Sequence, residues 1–91
     1  MKTMHVVISG LVQGVGYRYF ALQKARVLGI RGYVRNMYTG EVEIVAQADE
    51  AALDTFMQDL RIGPRSAHVA SARIVWHDDA EMYNSFDIRG V

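Results

Sequence analysis

A glycine-rich segment at residues 9–18, with the sequence Ser-Gly-Leu-Val-Gln-Gly-Val-Gly-Tyr-Arg, constrains the fold more than any other part of the chain. Gly10, Gly14 and Gly16 lie within seven positions, after an apolar run and before a helical pattern. Because glycine adopts positive φ at no steric cost, such a segment can turn several backbone N–H groups toward one point. The segment therefore predicts a strand, a tight loop and a helix in succession.

The start of the predicted helix adds further donors to this loop. Its first turn has unpaired N–H groups and the positive end of the helix dipole, and Arg18 places a permanently charged, fork-shaped donor there. Together these groups predict a cradle for a phosphate-sized anion. The alternative is a tight connection with a solvated arginine, and the segment has neither the Gly-Lys-Ser/Thr ending nor the G-x-G-x-x-G spacing of the familiar nucleotide loops.

Composition narrows the classes of protein that the chain can represent. A chain of 91 residues with 51% hydrophobic and 22% charged residues is typical of one globular domain, here residues 1–91. It has no cysteine, so disulfides and thiolate metal sites are excluded. Its net charge is zero, whereas proteins that bind nucleic acids usually carry an excess of positive charge. No apolar stretch has the length of a signal peptide or membrane span, so we expect a cytoplasmic monomer without nucleic-acid or membrane partners.

Hydrophobic periodicity divides the chain into alternating strands and helices. The first half of the chain predicts a strand over residues 4–12, a helix that begins at Tyr17 and is ended by Gly29, and a strand over residues 30–36. A turn at Thr39 and Gly40 leads into a third strand, with Val42, Ile44 and Ala46 on one face and Glu41 and Glu43 on the other. The second half predicts a helix capped by Asp49 and ended by Gly63 and Pro64, a strand over residues 69–76, a polar connection at residues 78–81 and a short strand at Phe86 and Ile88.

This order predicts the α+β class, as a ferredoxin-like α/β sandwich: βαββαβ plus a short terminal strand, with an antiparallel sheet and two helices on one face. The first two strands should run in the same direction with the third between them. The loop that leads to Arg18 and the residue Asn36 then lie at one edge of the sheet, and Asn36 shares the helix-covered face with Gly32 and Val34. The two sites are expected roughly 9–10 Å apart, two strand spacings, which leaves room for a tetrahedral anion and a water molecule.

The chain resembles the acylphosphatase family over essentially its whole length, and two motifs carry the resemblance. Residues 10–18 match its pattern G-x-V-Q-G-V-x-F-R, except that Tyr17 stands where Phe is usual. Residues 32–42 match G-aromatic-V-basic-N-x-x-x-G-x-V. Two further departures are Ala48, where the family usually has glycine, and the turn Met37-Tyr-Thr39, which is less polar than usual; we expect both to alter the rim of the site.

The resemblance implies metal-free hydrolysis of acyl phosphates to a carboxylate and inorganic phosphate, without a cofactor. Its catalytic pair corresponds to Arg18 and Asn36 here. Its phosphate loop corresponds to the segment formed by Gln13, Gly14, Val15, Gly16 and Tyr17. Inorganic phosphate, as the product, is expected to inhibit competitively.

This chemistry requires few groups. The carboxylate leaving group has a conjugate-acid pKa of about 4, so it departs without a general acid. Phosphoryl transfer depends mostly on positioning and electrostatic stabilisation, which the loop N–H groups and Arg18 can supply. The Asn36 amide has a donor and an acceptor with which to hold the attacking water. Because an amide is too weak a base to deprotonate that water, we expect a substrate phosphate oxygen to take the proton.

Other polar residues fit structural roles better than catalytic ones. The three histidines lack metal-ligand spacing, the acidic residues after the fourth strand suit a solvated connection, and Ser66 with His68 lacks an acidic third partner. Two aromatic residues of the first helix suit the core, and two arginines suit the open sheet face. These residues are His5, His68, His77, Asp78, Asp79, Glu81, Tyr17, Phe20, Arg31 and Arg35.

A non-catalytic binding module is the alternative from another class. The same fold plan carries RNA-recognition and small-molecule-sensing modules, and Arg31-Gly-Tyr-Val34 faintly resembles an RNP-type strand. That motif, however, belongs on the third strand and needs further aromatic residues. Either module would leave the glycine loop, Arg18 and Asn36 without a joint purpose. Hydrolysis of benzoyl phosphate in the presence of chelator distinguishes an enzyme from a module.

Overall fold

Five strands and two helices form the part of the chain that the computed structural model describes, residues 1–78 and 81–90. In chain order they are β1 (Lys2–Leu11), α1 (Tyr17–Val27), β2 (Arg31–Asn36), β3 (Val42–Ala48), α2 (Glu50–Ile62), β4 (His68–His77) and β5 (Phe86–Arg89). The predicted ferredoxin-like plan is confirmed. The ends of the helices follow local chemistry: the Asp49 side chain accepts a hydrogen bond from the Ala52 N–H at 2.8 Å at the start of α2, and Gly29 with φ 70° follows α1.

The sheet has the strand order β4-β1-β3-β2-β5. β3 pairs antiparallel with both β1 and β2, so β1 and β2 run in the same direction and end at the same edge, as predicted. The core lies on one face, where Val6, Ile44 and Val34 of three neighbouring strands meet the buried Ala21 of α1 and Phe56 of α2. This arrangement fixes which loops can meet at the C-terminal ends of β1 and β2.

The terminal strand corrects one detail of the prediction. β5 pairs with β2 in parallel, so the sheet is mixed rather than wholly antiparallel. To reach that position the chain crosses from one outer strand to the other, roughly 19 Å at four strand spacings. Gln47, near the C-terminal end of β3, hydrogen-bonds this crossing segment: its Nε2 donates to the Glu81 carbonyl, and its Oε1 accepts from the Tyr83 N–H at 3.0 Å. The predicted polar connection includes Asp79, which lies outside the described residues.

The open face of the sheet carries an ion-pair cluster where solvated side chains were expected. Glu43 points away from the helices as predicted, but it is only 8% exposed. It accepts hydrogen bonds from Arg35 Nε and, at 2.8 Å, pairs with His5 Nε2. Burial on its own would raise the Glu43 pKa, but the hydrogen bonds and charges of Arg35 and His5 outweigh it and hold the pKa below its ordinary value. The cluster is therefore part of the structural sheet surface.

The aromatic residue of the suggested RNA-binding strand is covered by other side chains of the protein. The Arg89 guanidinium carbon lies 4.0 Å from the centre of the Tyr33 ring, and the Tyr83 ring packs edge-on at 5.9 Å. A stacked guanidinium occupies one face on which a nucleobase would have to lie. The open face of the described sheet therefore gives the RNA alternative no support.

Candidate active site

The loop between β1 and α1 leaves a row of backbone donors free. Gly14 and Gly16 have φ of 74° and 81°, the left-handed region that favours glycine, and Gly16 is the N-cap of α1. Within the described structure, no N–H group of residues 13–19 donates to a protein acceptor. The first turn of α1 contains no acidic residue. The loop and the helix end therefore form an electropositive donor surface that is open to an anion.

A cavity of about 220 Å³ opens beside this loop. The predicted residues Gly14, Gly16, Arg18 and Asn36 meet there, although they come from a loop, a helix and a strand. The residues that line it are Val12, Gly14, Gly16, Tyr17, Arg18, Tyr19, Asn36 and Ile88. Because a water molecule occupies about 30 Å³ in the liquid, the space can hold a phosphate-sized group together with a water.

Arg18 brings an uncompensated positive charge to the cavity. Its side chain is half-buried in the first turn of α1, and none of the ion pairs among the described residues involves it. The lining residues include no aspartate or glutamate. A half-buried, unpaired guanidinium interacts more strongly with an anion than one that is fully exposed on the surface.

Asn36 ends β2 at the edge where β1 also ends. It pairs with Val42 in the ladder and shares the helix-covered face with Val34, as the strand period predicted. Its Oδ1 is buried and has no hydrogen-bond partner in the described structure. Buried polar atoms in proteins are almost always hydrogen-bonded, so the amide of this cavity-lining residue has hydrogen-bonding capacity that the protein itself leaves unused.

Tyr17 packs as the predicted core residue and also forms part of the cavity wall. Its ring is 1% exposed, and its hydroxyl donates to the Leu60 carbonyl at 2.6 Å. The helical partner of that carbonyl would be the N–H of residue 64, which is a proline and has none. Tyrosine in place of the usual phenylalanine thus satisfies an acceptor at the end of α2. Burial raises the Tyr17 pKa, so the phenol stays neutral.

Two predicted loop residues lie outside the cavity lining. Gln13 points its side chain at the turn after Asn36, where Nε2 donates to the carbonyls of Met37 and Glu41, each at 2.8 Å. Val15 packs partly buried against the core. For these two residues only a backbone N–H is free to face the cavity.

One of two motif positions lies where it was predicted, and the other needs correction. Gly10 belongs to the first strand as predicted: the register with β4 shifts between Ser9 and Gly10, and a Cβ on Gly10 would lie 2.1 Å from the His68 carbonyl oxygen. Ala48 was expected at the rim of the site. It pairs with Lys2, at the opposite end of β3 from Val42, so it cannot shape the cavity.

Three residues that line the cavity were not predicted from the sequence to be part of the site. Val12 directly follows β1, Tyr19 is 60% exposed in the first turn of α1, and Ile88 is 40% exposed on β5. Tyr19 stands next to Arg18, and this adjacency is the signal that could have identified it. Ile88 could not be found in the same way, because it reaches the site only through the parallel pairing of β5 with β2. These residues give the cavity an apolar side.

The histidines stay outside this site. His5 pairs with Glu43, and its ring packs edge-on against His77 at 6.4 Å on the open face. His68 is exposed at the start of β4. In the described parts of the chain, no three histidine or acidic side chains come together as a metal site would require. Neither helix there is long and apolar enough to cross a membrane.

Comparison with known proteins gives this arrangement its family. The acylphosphatase family model matches residues 4–88. The chain belongs to the acylphosphatase family. It is 42% identical to the acylphosphatase of Thermus thermophilus over 80 residues (88% of this chain and 91% of that one), and 41% identical to that of Archaeoglobus fulgidus over 88 residues (97% and 98%).

Solved structures agree with the sequence comparison. The crystal structure of the acylphosphatase from Bacillus subtilis superposes with a TM-score of 0.96 at 31% identity and covers 98% of this chain and 99% of its own. The chain is accordingly a hydrolase that acts on acid anhydrides, and the fold and family support acyl phosphate hydrolysis as its activity. An enzyme, rather than a binding module, is therefore the class to which it belongs.

Proposed function

We propose that this chain cleaves the phosphorus–oxygen bond of acyl phosphates by using only its own side chains and backbone. The N–H groups of residues 13–17 and the Arg18 guanidinium hold the phosphoryl group, and the Asn36 amide orients the attacking water. The observation that carries this proposal is that Asn36, whose buried Oδ1 lacks a partner, lines one cavity together with the glycine loop and an unpaired arginine. Each of these groups lacks what an oxyanion and a water would supply.

The donor set suits the charge of the transition state. Phosphoryl transfer spreads negative charge over three equatorial oxygens, and fixed N–H donors with a guanidinium stabilise that charge without reorganisation. The Arg18 fork binds two oxygens at once, as a lysine ammonium cannot. The carboxylate leaves as an anion with a conjugate-acid pKa of about 4, so it needs no proton.

The nucleophile is placed rather than deprotonated by the protein. The lining residues include no carboxylate and no histidine, and burial keeps Tyr17 neutral. Asn36 Oδ1 can accept one hydrogen bond from the water and fix its direction of attack. The water then loses its proton to a phosphate oxygen, and the products are a carboxylate and inorganic phosphate. Phosphate fits the same donors, so it should inhibit competitively.

The acyl group has an apolar surface available on the same cavity. Val12, Tyr19 and Ile88 lie beside the polar groups of the lining. An aromatic or aliphatic acyl group placed against the exposed Tyr19 and Ile88 removes apolar surface from water, at about 25 cal/mol per Å². We therefore assign the phosphoryl group to the loop and the acyl group to this apolar side.

Turnover of benzoyl phosphate by the purified protein in excess EDTA tests the proposal. We expect hydrolysis well above the spontaneous rate, together with competitive inhibition by inorganic phosphate. Hydrolysis that stops in EDTA and returns with one added metal would contradict a mechanism that uses only groups of the chain. No turnover of any acyl phosphate in a panel would contradict the proposed activity itself.

A further inference from the structure

The Gln13 side chain connects the two halves of the candidate site. Its Nε2 donates to the Met37 carbonyl and to the Glu41 carbonyl, both at 2.8 Å. Both partners are acceptors only, so the nitrogen end of the amide must face them. Met37 directly follows Asn36 in the chain. The Gln13 side chain therefore hydrogen-bonds the backbone directly beside Asn36, the residue that is proposed to hold the water.

The turn that Gln13 contacts is itself closed by two backbone hydrogen bonds. The Met37 N–H donates to the Glu41 carbonyl at 2.8 Å, and the Gly40 N–H donates to the Met37 carbonyl at 3.1 Å. Each carbonyl thus accepts one bond within the turn and one from Gln13. Both oxygens have two lone pairs, so the amide adds to the turn without displacing a bond.

This bridge is a direct polar connection between the loop and the turn. Without it, the loop and Asn36 are related through β3, which lies between β1 and β2. Among residues 12–19 of the described chain, Gln13 has the side chain that hydrogen-bonds the turn. Reaction rates depend steeply on such relations, because a misplacement of about 1 Å can cost 10²-fold in rate.

We propose that Gln13 is a positioning residue, which sets the distance and angle of the Asn36 amide relative to the phosphate loop. The proposal rests on the function assigned above to Asn36 and Arg18. It gives the Gln13 side chain a role different from phosphate contact. Loss of the side-chain amide should then lower kcat through Asn36 while phosphate affinity stays nearly unchanged.

The variant Gln13→Met tests this role, since methionine keeps the length of the side chain and removes both donors. We expect kcat for benzoyl phosphate to fall about 10- to 100-fold and the Ki of inorganic phosphate to stay within about threefold. Gln58→Met, at an exposed position of α2, is the matched control and should change neither value. A parallel loss of kcat and phosphate affinity would show direct phosphate contact and overturn the proposal.

A double-mutant cycle asks whether Gln13 acts through Asn36. Gln13→Met should lower kcat about 10- to 100-fold in the parent protein but by less than about threefold in the Asn36→Ala background, where the residue it positions is already missing. Effects that multiply in the double variant would show that the two residues act independently, and the proposal would fall. If Gln13→Met does not fold, Gln13→Asn replaces it in the same cycle, because its shorter amide cannot reach the two carbonyls.

A readout independent of turnover separates this proposal from the proposed function. The amide hydrogens of Met37 and Gly40 should exchange faster with solvent in Gln13→Met than in the parent protein, since the turn loses its two outside bonds. Unchanged exchange would overturn the positioning role even in an active enzyme. Absence of acyl phosphate turnover in the parent protein would instead contradict the proposed function. The hydrogen-exchange result would still show whether the Gln13 side chain holds the turn in place.

Discussion

Replacement of Arg18 by alanine should separate catalysis from folding more cleanly than any other single change. The side chain is half-buried, and the ion pairs of the described structure do not include it. Its removal should therefore change the free energy of unfolding by no more than about 0.5 kcal/mol. The effect on the reaction should be far larger, because the guanidinium is the cation of the cavity lining.

The magnitude follows from the fork of the guanidinium. Each charge-assisted hydrogen bond contributes about 1.5–3 kcal/mol, and two such bonds to phosphate oxygens correspond to about 10²–10⁴ in kcat/KM. The Ki of inorganic phosphate should rise by at least about 10-fold. Arg18→Lys should recover only part of the loss, since an ammonium cannot reproduce the planar fork.

Steady-state kinetics with benzoyl phosphate, with urea unfolding measured beside them, provide the assay. Arg26→Ala is the matched control, because Arg26 is an exposed arginine in the last turn of the same helix. It removes the same charge far from the cavity and should keep kcat/KM within about twofold. An Arg18→Ala enzyme with near-normal kcat/KM and unchanged phosphate inhibition would refute the anion-cradle reasoning.

Three further predictions follow from side chains around the site and the sheet. Tyr17→Phe leaves the Leu60 carbonyl without a donor and should cost about 1–3 kcal/mol in urea unfolding; equal stability would show that this carbonyl finds another partner. Glu43 has a lowered pKa when folded, so its contribution to stability is complete above about pH 5 and is lost as the pH falls through the folded-state value. Glu43→Gln should therefore flatten the acid limb of a plot of urea midpoint against pH, and an unchanged limb would contradict the ion-pair account with Arg35. Tyr19→Ala should raise KM for benzoyl phosphate more than for acetyl phosphate, and equal changes would remove Tyr19 from the acyl side of the cavity.

Local sequence signals predicted most of the fold because each was strong on its own. Asp49 caps α2, Gly29 follows α1, and β-branched runs form the buried strands. The strand period also placed Asn36 on the helix-covered face. Long-range features were harder to predict. The direction of β5 depends on how the chain crosses the sheet after β4, and no local residue pattern encodes that crossing.

In the candidate site, too, local features could be predicted from the sequence and long-range contacts could not. Gly14, Gly16, Arg18 and Asn36 could be found from two local motifs, and the cavity brings them together. The Gln13 side chain was expected in the phosphate loop, but its partners are carbonyls more than twenty positions away, as the separations of 24 and 28 residues show. Such a contact exists only after β3 has placed the turn beside the loop, so spacing along the chain could not reveal it.

The Asn36 amide is central to the account, and its substitution tests the proposed division of labour most directly. Asn36→Ala removes the unpartnered Oδ1 and leaves the loop donors and Arg18 in place. Single-turnover kinetics with benzoyl phosphate should show a rate lower by roughly 10²–10³, as for other single positioning donors, while the Ki of inorganic phosphate stays within about threefold of the parent value. Asn36→Asp keeps the shape of the side chain but adds a negative charge, so it should weaken phosphate binding and remain slow. An Asn36→Asp enzyme faster than the parent would show that base strength limits the reaction, and would contradict the placement of water by Asn36.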